Sequence, residues 1–203
     1  MLTLRSSAAS PFGRKIKIAA KTLSLYDQIT IESANTADPE DTLRKQNPLG
    51  KIPVLILENG KTLYDSRVIL EYIDHLSGGN KLLLNGAARF DALTLQALAD
   101  GICDAAILIV MEERMRKPEE RSELVTDYQR QKINRALAHL ATNPPESLGK
   151  ATPNVGQIAL ACALGYLDLR LDGFWRADNP NLVSWLNDFS QKVPAFDETR
   201  MPS

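Results

Sequence analysis

Cysteine and histidine are scarce in this 203-residue chain, with two of each: Cys103 and Cys162, His75 and His139. The cysteines lie far apart, each inside an apolar stretch of helical spacing. That excludes a disulfide framework, a Cys-x-x-Cys redox motif and a Cys-rich zinc site. The histidines stand alone with no second ligand at metal spacing, so each reads as a surface or packing side chain and no metal is expected. Excess charge of either sign is also missing, with 24 Lys+Arg against 25 Asp+Glu. Nucleic-acid binding is built on phosphate neutralisation by a broad basic face, so no nucleic-acid partner is expected. A local basic pocket for one small anion stays open. The longest apolar run, Ile158 to Leu167, falls far short of the roughly 20 residues of a membrane span. The N-terminus lacks the apolar run of about 7–15 residues that a signal peptide carries. These absences predict a cytoplasmic, reduced chain with no membrane partner. Dinucleotide-binding, Walker, nucleophile-elbow and His-Glu-x-x-His motifs are absent too.

What is present is ordinary globular composition, 44% hydrophobic, enough to build a core without staples. At about 100–200 residues per domain, the length fits one large domain or two small ones. The first eighty residues alternate between two periods. Leu2-Thr3-Leu4 reads as a strand, and Ser10-Pro11 starts a helix, because serine is a good N-cap and proline is favoured at the first helical position. Gln28 to Glu32 alternates like a strand, and Pro39 to Gln46 reads as a short helix opened by Asp38. Asn59-Gly60 between two apolar runs signals a hairpin, and Ser66 is expected to cap a helix carrying Ile69, Tyr72, Ile73 and Leu76. The order is β-α-β-α-β-β-α. After a Gly78-Gly79 linker, helical spacing takes over. Long helices are expected up to Pro118, over Arg121–Ala141, over Val155–Leu169 and from Pro180 to Pro194, the third apolar on nearly all sides and so buried. The fold class is α+β, with domains at 1–78 and 87–203 joined by a linker at 79–86.

Three loops could carry chemistry. Ser6 to Lys15 places a hydroxyl at a helix N-terminus, where a thiolate or other anion is stabilised. Asn47-Pro48-Leu49-Gly50-Lys51-Ile52-Pro53 leads into an apolar strand, and a cis Ile52–Pro53 bond there would expose the Ile52 backbone for pairing with an extended peptide. A cis bond before Pro53 is conceivable, although only about 5–6% of X–Pro bonds are cis. Tyr64-Asp65-Ser66-Arg67 is a second helix start, able to hold a carboxylate while Asp65 meets an ammonium. Read singly, each is more simply a helix cap or a turn.

Together, in this order and at these separations, they resemble the glutathione transferase family, as a bacterial member with serine at the first-loop position. The resemblance covers essentially the whole chain: Ser-Pro-Phe-x-Arg-Lys, Asn-Pro-x-Gly-Lys-Ile-Pro-Val-Leu, Asp-Ser, and the final Pro-Asn-Leu-x-x-Trp helix at 180–185. It implies a thioredoxin-like N-terminal domain, an all-α C-terminal domain and a homodimer. It also implies glutathione as co-substrate and conjugation of its thiolate to a small electrophile. Isomerase, peroxidase or dehalogenase chemistry, or a non-catalytic interaction role, remains open on the same scaffold.

Residue by residue, the resemblance assigns Ser10 to the thiol, with Ser7 as the rival hydroxyl. The Ile52 backbone before Pro53 meets the cysteinyl unit, Lys51 the glycine end, and Asp65 and Ser66 the γ-glutamyl end. Phe12 and Met111 complete the substrate-binding set. Arg14 is either a source of positive potential or a solvent-facing helix charge or ion-pair partner. Asn154-Val155-Gly156-Gln157 stands where the family usually has Ser or Thr and Asp, but it still makes a capping box. Ile107, Met111 and Met115 recur at four-residue spacing as an electrophile-binding or core stripe. Arg114 and Arg116 would favour acidic substrates unless solvated.

Overall fold

Alternation along the first strand, β1 (Leu2–Ser6), divides the sheet's surroundings. Leu2 and Leu4 enter the main apolar core, while the Arg5 guanidinium reaches the opposite side and bonds Thr42 Oγ1, Gln46 Oε1 and Asp41 Oδ1. In this computed structural model, which describes residues 1–149 and 152–201, four strands run in the order β2-β1-β3-β4. Lys150, Ala151, Pro202 and Ser203 of the expected C-terminal domain lie outside the described residues. Strand β2 (Ile29–Ser33) is parallel to β1; β3 (Val54–Ile56) and β4 (Thr62–Leu63) are antiparallel, with Leu4 opposite Leu55 and Leu55 opposite Leu63. Helices α1 (Pro11–Thr22) and α3 (Ser66–Leu76) pack on each other over one face. A small cluster of Ala34, Leu43, Val54 and Ile52 covers the other. This is the mixed, thioredoxin-like sheet that the resemblance implies.

Two local expectations need correction. The helix read at 39–46 shrinks to α2, Leu43–Gln46. Asp38 and Asp41 spend their carboxylates on turns, accepting from Glu40 N at 2.9 Å and from Leu43 N at 2.8 Å, and Arg5 holds Asp41 at 2.7 Å. Asp residues compete with helix this way whenever their side chains find nearby backbone donors. The second correction concerns α3, whose N-cap is Asp65: its Oδ1 accepts from Arg67 N at 2.9 Å.

The second layer is helical: α4 (Ala87–Met115), α5 (Glu123–Thr142), α6 (Val155–Arg170), α7 (Pro180–Lys192) and a short α8 (Ala195–Glu198) beyond the expected stop at Pro194. By composition α4 could cross a membrane, with a mean hydropathy of 1.7 over 18 residues, but here it is the core helix packed on α5 and α6. The α6 helix is buried along nearly its whole length, as its apolar sequence requires. Its capping box is complete, Asn154 Oδ1 accepting from Gln157 N and Gln157 Oε1 from Asn154 N, both at 3.0 Å. Gly156 lets α6 approach α4 closely, since a Cβ there would lie 2.5 Å from the Ala92 carbonyl oxygen.

The layers are joined by α1 against α6 and by the linker, where Asp74 Oδ1 accepts from Leu82 N at 2.7 Å and Leu82 O accepts from Val155 N at 3.1 Å. Arg14 is part of this joint. It is buried and, among the described residues, makes no ion pair; its guanidinium lies 4.1 Å from the centre of the Phe196 ring and donates to Phe196 O at 2.5 Å. Helix α8, which places Phe196 there, had no strong periodic signal of its own.

Candidate functional site

Helix α1 begins where Ser10 Oγ accepts from Gly13 N at 3.1 Å and Pro11 occupies the first turn. An accepting hydroxyl oxygen still has its own O–H to donate. Ser7, half-buried two residues after the sheet's Arg5, is turned to the same side of the molecule. The second loop is shaped by buried Asn47. Its Oδ1 accepts from Leu49 N at 3.0 Å, its Nδ2 donates to Lys51 O at 2.9 Å, and its carbonyl accepts from Gly50 N at 2.8 Å. Gly50 takes φ +61, which closes this turn and which glycine adopts without strain. The Ile52–Pro53 peptide is cis, as is Tyr64–Asp65. The β1–β3 ladder starts only at Val54. Among the described residues the Ile52 N–H and C=O carry no backbone hydrogen bond.

At the start of α3, Asp65 does the capping, which leaves the Ser66 hydroxyl without a hydrogen bond among the described residues. Ser66 is nevertheless only 2% exposed. All three loops open on one cleft of about 410 Å³ between the sheet and the helical layer. Ser10, Phe12, Lys51, Ile52, Pro53, Asp65, Ser66 and Met111 all line it, as does the rival Ser7. Of the helical stripe, Ile107 and Met111 line the cleft, whereas Met115 is 77% exposed and lies outside it. Arg114 lines it; Arg116 instead pairs with Glu112 at 3.1 Å.

The wall of the cleft also contains charges that sequence reasoning passed over. Asp100 is buried, bound by Lys15 Nζ through one oxygen and by Arg67 Nε through the other at 3.0 Å. That bond raises the Arg67 pKa above its ordinary value. Burial, and then the Asp100 charge, hold the Asp104 carboxyl above the usual carboxylate range. Asp100 and Asp104 stand four apart in the apolar middle of α4, residues 97–111, a spacing that could have marked them. Burial also pushes up both free thiols, Cys162 to about 11, against the opposing charge of Arg14. Both therefore stay protonated near neutrality. Among the described residues no cluster of three metal-ligating side chains occurs.

Residues 9–76 match the family described as glutathione S-transferase, N-terminal domain, and residues 87–188 its C-terminal domain. The chain belongs to the glutathione S-transferase family. It is 36% identical over 207 residues to an uncharacterised transferase-like protein of Escherichia coli K12, YibF, covering 99% of each chain. A glutathione transferase family member from Pseudomonas fluorescens Pf-5, solved with bound glutathione, is 42% identical with a TM-score of 0.92 and full coverage of both chains. It was also solved with S-(propanoic acid)-glutathione, at a TM-score of 0.88 and again with full coverage. A glutathione S-transferase from Methylobacillus flagellatus KT, with glutathione bound, is 33% identical with a TM-score of 0.88, also over both full chains. The family's architecture, a thioredoxin-like sheet followed by a helical domain, is the one described above.

Proposed function

We propose that this chain is an enzyme that binds glutathione in residues 1–78 and conjugates its thiolate to a small electrophile held against residues 87–203. The observation that carries this reading is the convergence of three separate loops on one cleft. Two of them are helix N-termini, which favour a thiolate and a carboxylate. The third, at Ile52, offers unpaired backbone to an extended peptide. Glutathione bound to relatives of the same fold supports it, as does an S-substituted glutathione in one of them. Two free, buried cysteines are in keeping with a reducing cytoplasm. Calorimetric titration with glutathione, followed by turnover against a panel of electrophiles, tests the reading. Absence of glutathione binding at millimolar concentration overturns it.

In this reading Ser10 activates the thiol. A free thiol of pKa about 8.5 is roughly 3% ionised at pH 7, and lowering that by two units takes about 2.7 kcal/mol. A helix N-terminus supplies about 0.3–2 kcal/mol and a charge-assisted hydrogen bond about 1.5–3, which together suffice. Ser10→Ala removes the hydroxyl but keeps the helix, so the bound thiol's pKa should rise by about one to two units. Lost capping should also lower stability by about 1 kcal/mol. Thiolate absorbance of the binary complex against pH reads the shift. An unmoved curve in Ser10→Ala beside a moved one in Ser7→Ala transfers the role to Ser7.

A homodimer follows from the same reading. Leu49 at 71%, Phe90 at 69% and Leu124 at 81% exposure leave large apolar side chains on the surface of the lone chain. Sedimentation equilibrium at micromolar concentration should return twice the chain mass; a monomer contradicts it.

A further inference from the structure

The α4 helix turns five side chains into the cleft: Asp100, Asp104, Ile107, Met111 and Arg114. Their separations of four, three, four and three residues make a single helical stripe. At 1.5 Å rise per residue, Arg114 lies about 15 Å along the axis from Asp104. Charge therefore reverses along the wall: carboxylates beside Arg67 and Lys15, then two apolar residues, then a cation. Helix α6 adds Tyr166 and Arg170, four apart and so on one face, to the same cleft. Among the described residues Arg114 and Arg170 make no ion pair, and the carboxylates lining the cleft are Asp65, Asp100 and Asp104 alone. Burial pushes the Tyr166 phenol upward, against the opposing charges of Arg170 and Arg114.

A cation in the last turn of a helix is favoured by the helix dipole, and Arg114 and Arg170 both occupy such positions. That accounts for the residue type at each helix end. It does not account for two arginines from different helices lining one cleft beside a tyrosine hydroxyl, with an apolar wall leading up to them. Arginine's planar fork matches a carboxylate, and unpaired guanidinium groups facing a cleft favour an anion there.

We propose that the electrophile half of this cleft selects substrates bearing a carboxylate, held by Arg114 and Arg170 with the Tyr166 hydroxyl, while Ile107 and Met111 pack on the carbon skeleton. The inference rests on the glutathione-conjugating reading and names its substrate class. For an α,β-unsaturated acid the step balances without a further reactant. The thiolate sulfur forms a bond to the β carbon, and the π pair moves toward the α carbon and carboxylate, where the arginines face the added charge. The α carbon then takes a proton from water, replacing the one the thiol lost. Nothing is left over. Thiol has added across the double bond, with no external oxidant or reductant.

Calorimetry with S-(2-carboxyethyl)glutathione and S-propylglutathione tests the proposal, because the two differ mainly in one charge at similar length. The wild-type protein should bind the acid roughly ten- to a hundredfold more tightly, the ratio expected of a charge-assisted hydrogen-bonded contact. In Arg114→Gln/Arg170→Gln the ratio should fall to near one, with circular dichroism and glutathione binding reporting an intact fold. Equal affinities in the wild type, or a preference that survives the double substitution, overturn the proposal while leaving glutathione binding in place. A wild type that does not bind glutathione at all overturns the conjugating reading, and this inference with it.

Discussion

Replacing Lys15 by methionine should lower stability by about 3–5 kcal/mol, the cost of removing one partner from a buried ion pair. Both side chains are nearly sealed from water, Lys15 at 2% exposure and Asp100 at 3%. Methionine fills most of the lysine stem's volume beside Phe12, so cavity formation is a minor part of the loss. What remains is a buried carboxylate whose other partner, Arg67, is 54% exposed. A kilocalorie moves the melting temperature by about 2–4 °C in a domain of this size, so the shift should be about 6–20 °C. The pair also joins the two layers, α1 contributing the lysine and α4 the aspartate. Thermal and urea melts of Lys15→Met and Lys15→Met/Asp100→Leu separate the causes. If burial of an unpaired charge drives the loss, the double variant should recover much of it. A double variant less stable than Lys15→Met would show that packing, not charge, makes this contact important.

Ser66→Ala should weaken glutathione binding roughly ten- to a hundredfold, corresponding to the loss of a hydrogen bond to a charged group worth about 1.5–3 kcal/mol. The structural ground is the division of labour at the start of α3. Asp65 caps the helix, which releases both the Ser66 hydroxyl and the helix N-terminus toward the cleft. Since Ser66 is not the cap, the helix should survive the substitution, and the melting temperature should change little. Saturated turnover should change less than affinity, because contacts to the γ-glutamyl end persist unchanged through the reaction at sulfur. Calorimetry on the variant checks the first expectation and steady-state kinetics the second. Wild-type affinity in Ser66→Ala would remove this residue from the binding set.

Elements specified by short-range chemistry were legible in the chain. Ser10-Pro11 and the Asn154–Gln157 box mark helix starts because the groups that satisfy the first N–H donors are within three residues of them. Helix α6 was legible as a buried helix because no side of it carries a polar stripe. Asp65 and Ser66 were harder. Both residues are good caps, one position apart, and only the backbone path into α3 chooses between them. The helix read at 39–46 failed for a related reason. Asp41 had a distant competitor, Arg5 on β1, thirty-six residues earlier in the chain.

Local sequence determined the alternation of elements, the division into a mixed sheet and a helical layer, and the three loops from which the resemblance to the transferase family was read. Tertiary structure alone decided which charges meet. Arg14 goes to Phe196, 182 residues away, Lys15 and Arg67 go to Asp100, and Arg114 shares a cleft with Arg170; the Arg116–Glu112 pair, by contrast, is a local contact four residues apart at the end of α4. The physical reason is the range of the forces. Caps and turns are settled by donors and acceptors a few bonds apart. The partner of a long charged side chain depends on which helix faces pack together and how much water they exclude.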